Sequence, residues 1–110
     1  MVKGDEILKA VMYNYNTWID YKKEEILVED FEKMLLKSGF NIINKIEHFF
    51  PKQGYTGLWL LAESHFAIHT FPESNKVYIE ISSCVKEYFD KFLEEFNIYI
   101  VKGDGYGNKI

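Results

Sequence analysis

Apolar and polar positions repeat with two periods along this chain, and the switches between them mark its elements. Residues 76–83 (KVYIEISS) alternate at a period of two, with Val77, Ile79 and Ile81 facing one way and Tyr78, Glu80 and Ser82 the other. That pattern predicts a half-buried β-strand. Residues 24–37 place Leu27, Phe31, Met34 and Leu35 at spacings of three and four, with Glu24 and Glu25 in the first turn and Gly39 just past the end. An amphipathic helix is predicted there. A second helix is predicted over residues 85–96, where Val85, Tyr88, Phe89, Phe92, Leu93 and Phe96 form one stripe.

The remaining segments read as strands. Residues 7–13 (ILKAVMY) alternate loosely and stop at Asn14 and Asn16, which predicts a first strand followed by a polar turn. Residues 41–50 predict a strand with Ile42, Asn44, Ile46 and His48 on one face and Ile43, Lys45, Glu47 and Phe49 on the other, ending before Pro51. After the turn residues Pro51-Lys52-Gln53-Gly54, residues 55–62 are apolar on both faces, as a central strand covered on both sides would be. Residues 65–71 form a further strand up to Pro72, and residues 97–101 a short closing one. The expected order is β, α, β, β, β, β, α, β. Short turns between strands imply antiparallel pairing, and two amphipathic helices each need one face covered. The prediction is one α+β domain over residues 1–110, a two-layer sandwich of an antiparallel sheet with both helices on one face. The other sheet face would carry large residues such as Trp59, more apolar surface than a monomer shows, so a homodimer is expected.

Composition narrows the partners. The chain carries 13 lysines, no arginine and 17 acidic residues, a formal net charge of -4, so it has no basic footprint for a phosphate backbone. Nucleic acid is not an expected partner. Cys84 is the sole cysteine, which excludes an internal disulfide and a multi-cysteine zinc site and points to a reducing compartment, the cytoplasm. Asp5 and Glu6 stand where a secretory signal would be apolar, and the longest apolar run, residues 58–62, is too short to cross a bilayer. A soluble protein with no membrane partner is expected.

Reactive side chains are densest in Glu63-Ser64-His65-Phe66-Ala67-Ile68-His69-Thr70, with Cys84 and His48 on the neighbouring strands. His65 and His69 are four apart, which on a helix would suit a metal. In a strand four residues span roughly 13 Å, too far for one ion. No metal is expected. A Cys84–His69 nucleophile pair has no accompanying signature, and a lone cysteine is usually a small buried hydrophobe. Composition and spacing alone leave the reaction open.

The run Leu61-Ala62-Glu63-Ser64-His65-Phe66-Ala67-Ile68-His69-Thr70-Phe71-Pro72-Glu73 resembles the self-processing motif of the prokaryotic S-adenosylmethionine decarboxylases, close to LAESHxxIHTWPE. His48, Phe50 and Gln53-Gly54-Tyr55-Thr56-Gly57 are similar to the family's HRF and QGVSG stretches, and Tyr78-Ile79-Glu80-Ile81-Ser82-Ser83-Cys84 to its strand ending in cysteine. Thr56 keeps a hydroxyl where the family has serine, and Phe71 keeps the bulk of its tryptophan. The family's Gly-Arg-His start is replaced by Gly4-Asp5-Glu6 and the glycine after the cysteine by Val85.

The resemblance implies a proenzyme that cuts itself between Glu63 and Ser64 into residues 1–63 and 64–110. Ser64 would attack the Glu63 carbonyl, and elimination and hydrolysis would turn it into the pyruvoyl cofactor. His69 would assist removal of the Ser64 α-proton, with Thr56 at the family's processing-serine position. Cys84 would donate the proton to the substrate carbon after carbon dioxide leaves. Phe50 and Glu73 would stack on the adenine and hold the ribose hydroxyls, with His65 grouped among the substrate-binding residues. The pyruvoyl carbonyl, as a Schiff base with the substrate amine, is the electron sink that pyridoxal phosphate is elsewhere. Ser64 and His69 are an odd number of residues apart and face opposite ways in one strand. The resemblance therefore implies a site shared across a homodimer, Ser64 and Cys84 from one protomer with Thr56 and His69 from the other. The implied activity is decarboxylation of S-adenosylmethionine for spermidine synthesis. Decarboxylation of ornithine or arginine, or a non-processing binding subunit, are the alternatives.

Overall fold

The computed structural model describes residues 10–102, and its first strand, β1 (Tyr13–Asp20), points Tyr13, Tyr15, Thr17 and Ile19 to the side opposite Asn14, Asn16, Trp18 and Asp20. The first strand thus begins where the sequence reading ended it. Residues 7–9 lie outside the described residues, residues 10–12 carry no regular structure, and the asparagines expected in a turn lie within the strand. Asn14 and Asn16 fit there because they leave the sheet on its uncovered face, opposite Ser82 and Glu80, where their polar groups cost nothing in burial.

Helix α1 (Glu24–Ser38) buries Leu27, Phe31, Met34 and Leu35 and ends at Gly39, whose φ of 112° is a left-handed conformation natural to glycine. There Gly39 N–H donates to Leu36 O and Phe40 N–H to Leu35 O, both at 3.1 Å. A Cβ on Gly39 would stand 2.8 Å from the Tyr88 ring, so the helix end and the second helix need a glycine between them. β2 (Ile42–Phe49), β3 (Tyr55–Leu61), β4 (Ser64–Phe71) and β5 (Lys76–Ser83) follow, with single 3₁₀ turns at Pro51–Gln53 and Pro72–Ser74. The sheet order is β1-β5-β4-β3-β2, antiparallel throughout.

Helix α2 (Lys86–Lys102) extends through the segment expected to be a closing strand, so the order is β, α, β, β, β, β, α. The β-branched residues Ile98, Ile100 and Val101 suggested strand, yet all three are exposed. The helical stripe Phe89, Phe92 and Phe96 instead continues to Tyr99, whose ring meets Phe31 at 5.5 Å and whose hydroxyl donates to Asp30 Oδ2 at 2.8 Å. Packing of that stripe outweighs strand propensity.

Both helices lie on one face of the sheet, the α+β sandwich expected. Phe31, Phe66 and Phe92 interlock at its centre, with ring centroids 5.2 Å (Phe31–Phe66) and 5.7 Å (Phe66–Phe92) apart. Each such buried ring contributes about 2 kcal/mol. Trp59 belongs to this side: it is 1% exposed, meets Phe66 at 5.5 Å and donates from Nε1 to Glu32 Oε2 at 2.7 Å. It is therefore not a residue of the outer face, contrary to the expectation. β3 is likewise covered on one side only, for Leu58 and Leu60 are 46% and 52% exposed. A register shift between Ile42 and Asn44 also moves Ile42 to the helix side with Lys45, Glu47 and Phe49, where strict alternation had set it with Asn44.

Among the described residues no helix or further strand covers the outer sheet face. It carries Trp18, Ile46, Leu58, Leu60 and Phe71, all at least 38% exposed.

Candidate active site

The β3–β4 ladder sets Thr56 directly opposite His69 on the outer face, and Thr56 Oγ1 stands 2.9 Å from His69 Nδ1. A contact at that atom leaves Nε2 of the same ring to work on something else. The ring of Tyr78, opposite His69 on β5, lies 6.0 Å from it. Tyr78 donates to Glu80 Oε1 at 2.8 Å, and that bond pushes its phenol above the ordinary tyrosine value. On β2, His48 stands opposite Thr56 and its ring packs edge-on against Phe50 at 4.4 Å. Phe50, Thr56, His69, Phe71 and Glu73 line a cavity of about 720 Å³, a size suited to a small organic ligand. An aromatic wall, a carboxylate and a hydroxyl–imidazole pair can thus act on one molecule.

The other end of the ladder holds different chemistry. β3 turns into β4 through Ala62 and Glu63, with Glu63 in the left-handed region at φ 61°. Ser64 opens β4 facing the helices, 5% exposed, and donates to Ser83 Oγ at 2.7 Å. Cys84, exposed just past β5, places its Sγ 3.4 Å from the main-chain oxygen of Glu63 and 3.4 Å from Glu63 Oε1. The hydrogen bond to the Glu63 carboxylate, with desolvation and the carboxylate's charge, pushes the thiol above its ordinary value. The carbonyl preceding Ser64 therefore has a protonated thiol against its oxygen.

The residues singled out in the sequence fall into two groups. Phe50, Thr56, His69 and Glu73 gather at the cavity, while Glu63, Ser64 and Cys84 gather at the β3–β4 turn. Ser64 and His69 face opposite sides of β4, and five residues of strand separate them by roughly 16 Å. His65 lies on the outer face at the Ser64 end, in a shallow depression with Asn44, Ile46, Leu58 and Leu60, and the chain does not bring it to Phe50 and Glu73. Among the described residues no group of three or more His, Cys, Asp or Glu side chains is gathered as a cation site. Two neighbours escaped the sequence reading. Ser83, partner of the Ser64 hydroxyl, continues the inward row Val77, Ile79, Ile81, and the strand register would have found it. Tyr78 beside His69 needed the β4–β5 pairing, which no sequence pattern gives.

Known proteins resemble this chain in sequence and in fold. A profile described as S-adenosylmethionine decarboxylase matches residues 13–100. The S-adenosylmethionine decarboxylase proenzyme of Archaeoglobus fulgidus is 35% identical over 79 residues, 67% of this chain and 70% of that protein. That of Parasynechococcus marenigrum is 48% identical over 48 residues, 44% of this chain, and the match spans only 38% of the cyanobacterial protein's length. The crystal structure of the adenosylmethionine decarboxylase from Aquifex aeolicus superposes with a TM-score of 0.63 at 21% identity, over 81% of this chain and 82% of that one, which is a likeness of fold. Among the described residues no helix is long and apolar enough to cross a membrane. With the match running from the start of β1 into the last turns of α2, through both halves of the site, the chain belongs to the S-adenosylmethionine decarboxylase family.

Proposed function

We propose that the chain is a proenzyme that cleaves itself between Glu63 and Ser64, and then decarboxylates S-adenosylmethionine as a homodimer with its sites at the interface. The observation that carries this reading is the Cys84 thiol 3.4 Å from the Glu63 main-chain oxygen. When Ser64 Oγ attacks the Glu63 carbonyl carbon, charge develops on that oxygen, and a thiol proton beside it stabilises the charge. The C–N bond to Ser64 breaks and an ester to its oxygen remains. Removal of the Ser64 α-proton expels the Glu63 carboxylate and leaves a dehydroalanine, which water converts to pyruvoyl with loss of ammonia.

The residues fit such a group: Ser64 stands at the strand start with Ser83 holding its hydroxyl, and Cys84 lies beside the bond to be cut. The pyruvoyl carbonyl supplies the electron sink for loss of carbon dioxide. Cys84, held protonated by Glu63, is suited to return a proton to the substrate carbon. Phe50 offers a face for a purine ring and Glu73 a carboxylate for ribose hydroxyls, contacts that ornithine or arginine would leave unused.

The roughly 16 Å between Ser64 and His69 supports the homodimer. A two-fold axis near Ala67, midway along β4, would stack two outer faces, set the Ser64–Cys84 end of one copy against the cavity of the other, and cover Leu58, Leu60 and Trp18. One cysteine in the chain and no disulfide suit a reducing cytoplasm. The test is an intact mass spectrum under denaturing conditions, with release of carbon dioxide measured from S-adenosylmethionine, ornithine and arginine in turn. Fragments ending at Glu63 and beginning with a pyruvoyl-blocked residue 64 are expected, with S-adenosylmethionine turned over. A single uncleaved chain would overturn the reading.

A further inference from the structure

We propose that the side chain of Glu63 is a positioning residue that holds the Cys84 thiol as a protonated donor beside the reacting centre, a task separate from that of its main-chain carbonyl. The inference deepens the decarboxylase reading, on which its catalytic meaning rests. Glu63 Oε1 and Glu63 O both lie 3.4 Å from Cys84 Sγ, so one S–H proton is presented to two oxygens of a single residue. The backbone makes this possible. Glu63 adopts φ 61° in a two-residue hairpin turn, a conformation that glycine or asparagine would take with less strain, so turn geometry does not account for a glutamate there.

The charged and titratable groups around Cys84 come from three elements. Glu63 faces it from the β3–β4 turn. Lys86, in the first turn of α2, is engaged by Asp90 at 2.6 Å, and Tyr13 of β1 lies toward Lys86. Among the described residues, Glu63 is the group whose side chain and charge act on the thiol. A carboxylate there opposes a thiolate, since the two would be like charges in contact. Self-cleavage strengthens the effect, because the Glu63 carbonyl becomes a second carboxylate at the same place. The donor is thus held loaded by the residue that the cleavage exposes.

The test is the pH profile of alkylation by iodoacetamide, followed by mass on the uncleaved Ser64→Ala chain, whose single thiol makes the signal that of Cys84 alone. On that background Glu63→Gln is expected to lower the midpoint by about one pH unit, and so to speed alkylation about tenfold at a fixed pH below it. Glu63→Gly, free of backbone cost at this φ, is expected to show the same shift, and Glu63→Asp to stay near the parent. Equal midpoints for the Glu, Gln and Gly chains would overturn the proposal. The measurement needs no cleavage, so its failure and that of the decarboxylase reading are told apart.

Discussion

Thr56 Oγ1 lies 2.9 Å from His69 Nδ1 across the β3–β4 ladder, so the hydroxyl contacts the ring nitrogen that faces the strand and sets the imidazole's orientation toward the cavity. If His69 removes the Ser64 α-proton, Thr56→Val should slow self-cleavage about tenfold, the cost of roughly one hydrogen bond to a working group. Thr56→Ser should keep the parent rate, and His69→Ala should lose about 10²-fold or more, the size of effect that removal of a general base gives. The uncleaved fraction against time, read by denaturing mass spectrometry, checks all three. A Thr56→Val chain that cleaves at the parent rate would remove Thr56 from the reaction.

If the site is shared across a homodimer, as the roughly 16 Å of strand between Ser64 and His69 supports, inactive chains should complement each other. Neither Ser64→Ala nor His69→Ala should cleave at speed alone. Co-expressed, the mixed dimer holds one site with both Ser64 and His69 intact, and the His69→Ala chain should be cut while the Ser64→Ala chain stays whole. If neither chain is cut in the mixture, the two groups do not meet across protomers.

Much of this was legible in the sequence where one face of an element is buried and the other wet. Lys76–Ser83 alternates without a fault and is β5 to the residue, and Leu27, Phe31, Met34 and Leu35 are the buried stripe of α1. The errors fall where packing beyond the element decides. Asn14 and Asn16 resemble a turn until Ser82 and Glu80 are known to stand beside them, and Ile98, Ile100 and Val101 resemble a strand until Tyr99 is seen on Phe31. Trp59 could face either way from β3, and Glu32 on α1, a partner for its indole, settles it. The site residues were named through motif resemblance, whereas their division into two clusters is a property of strand register. The contact of Glu63 Oε1 with Cys84 was in neither, because it depends on a left-handed residue that no local pattern announces.

The outer face offers a separate test of the dimer. Leu58 and Leu60 are 46% and 52% exposed in the single chain, so replacing both with glutamate removes little from the core. In a face-to-face dimer the same change buries two charges per protomer against apolar surface. Leu58→Glu/Leu60→Glu should sediment as a monomer, keep a melting temperature within a few degrees of the isolated parent fold, and fail to cleave. A double variant that stays dimeric would move the interface elsewhere.

Glu32 gives stability a pH dependence of known sign. Burial works to raise its pKa, but the hydrogen bonds from Trp59 Nε1 at 2.7 Å and Lys45 Nζ at 2.9 Å, with the lysine's charge, outweigh that and hold it below the ordinary value of 4.5. A carboxyl whose folded value is depressed adds stability that is fully present above the unfolded value, and loses it as pH falls through the folded one. With the side chain 29% exposed, solvent screens part of the effect, and Glu32→Gln should cost about 1 kcal/mol at pH 7. Glutamine still accepts from Trp59 but has no charge for Lys45, so the gap between the two proteins should narrow as the medium is taken well below pH 4.5, where Glu32 becomes protonated and neutral. Urea midpoints measured at neutral and acid pH read this directly. A gap of the same size at both would mean that the carboxylate's charge on Lys45 does not hold α1 to the β2–β3 edge.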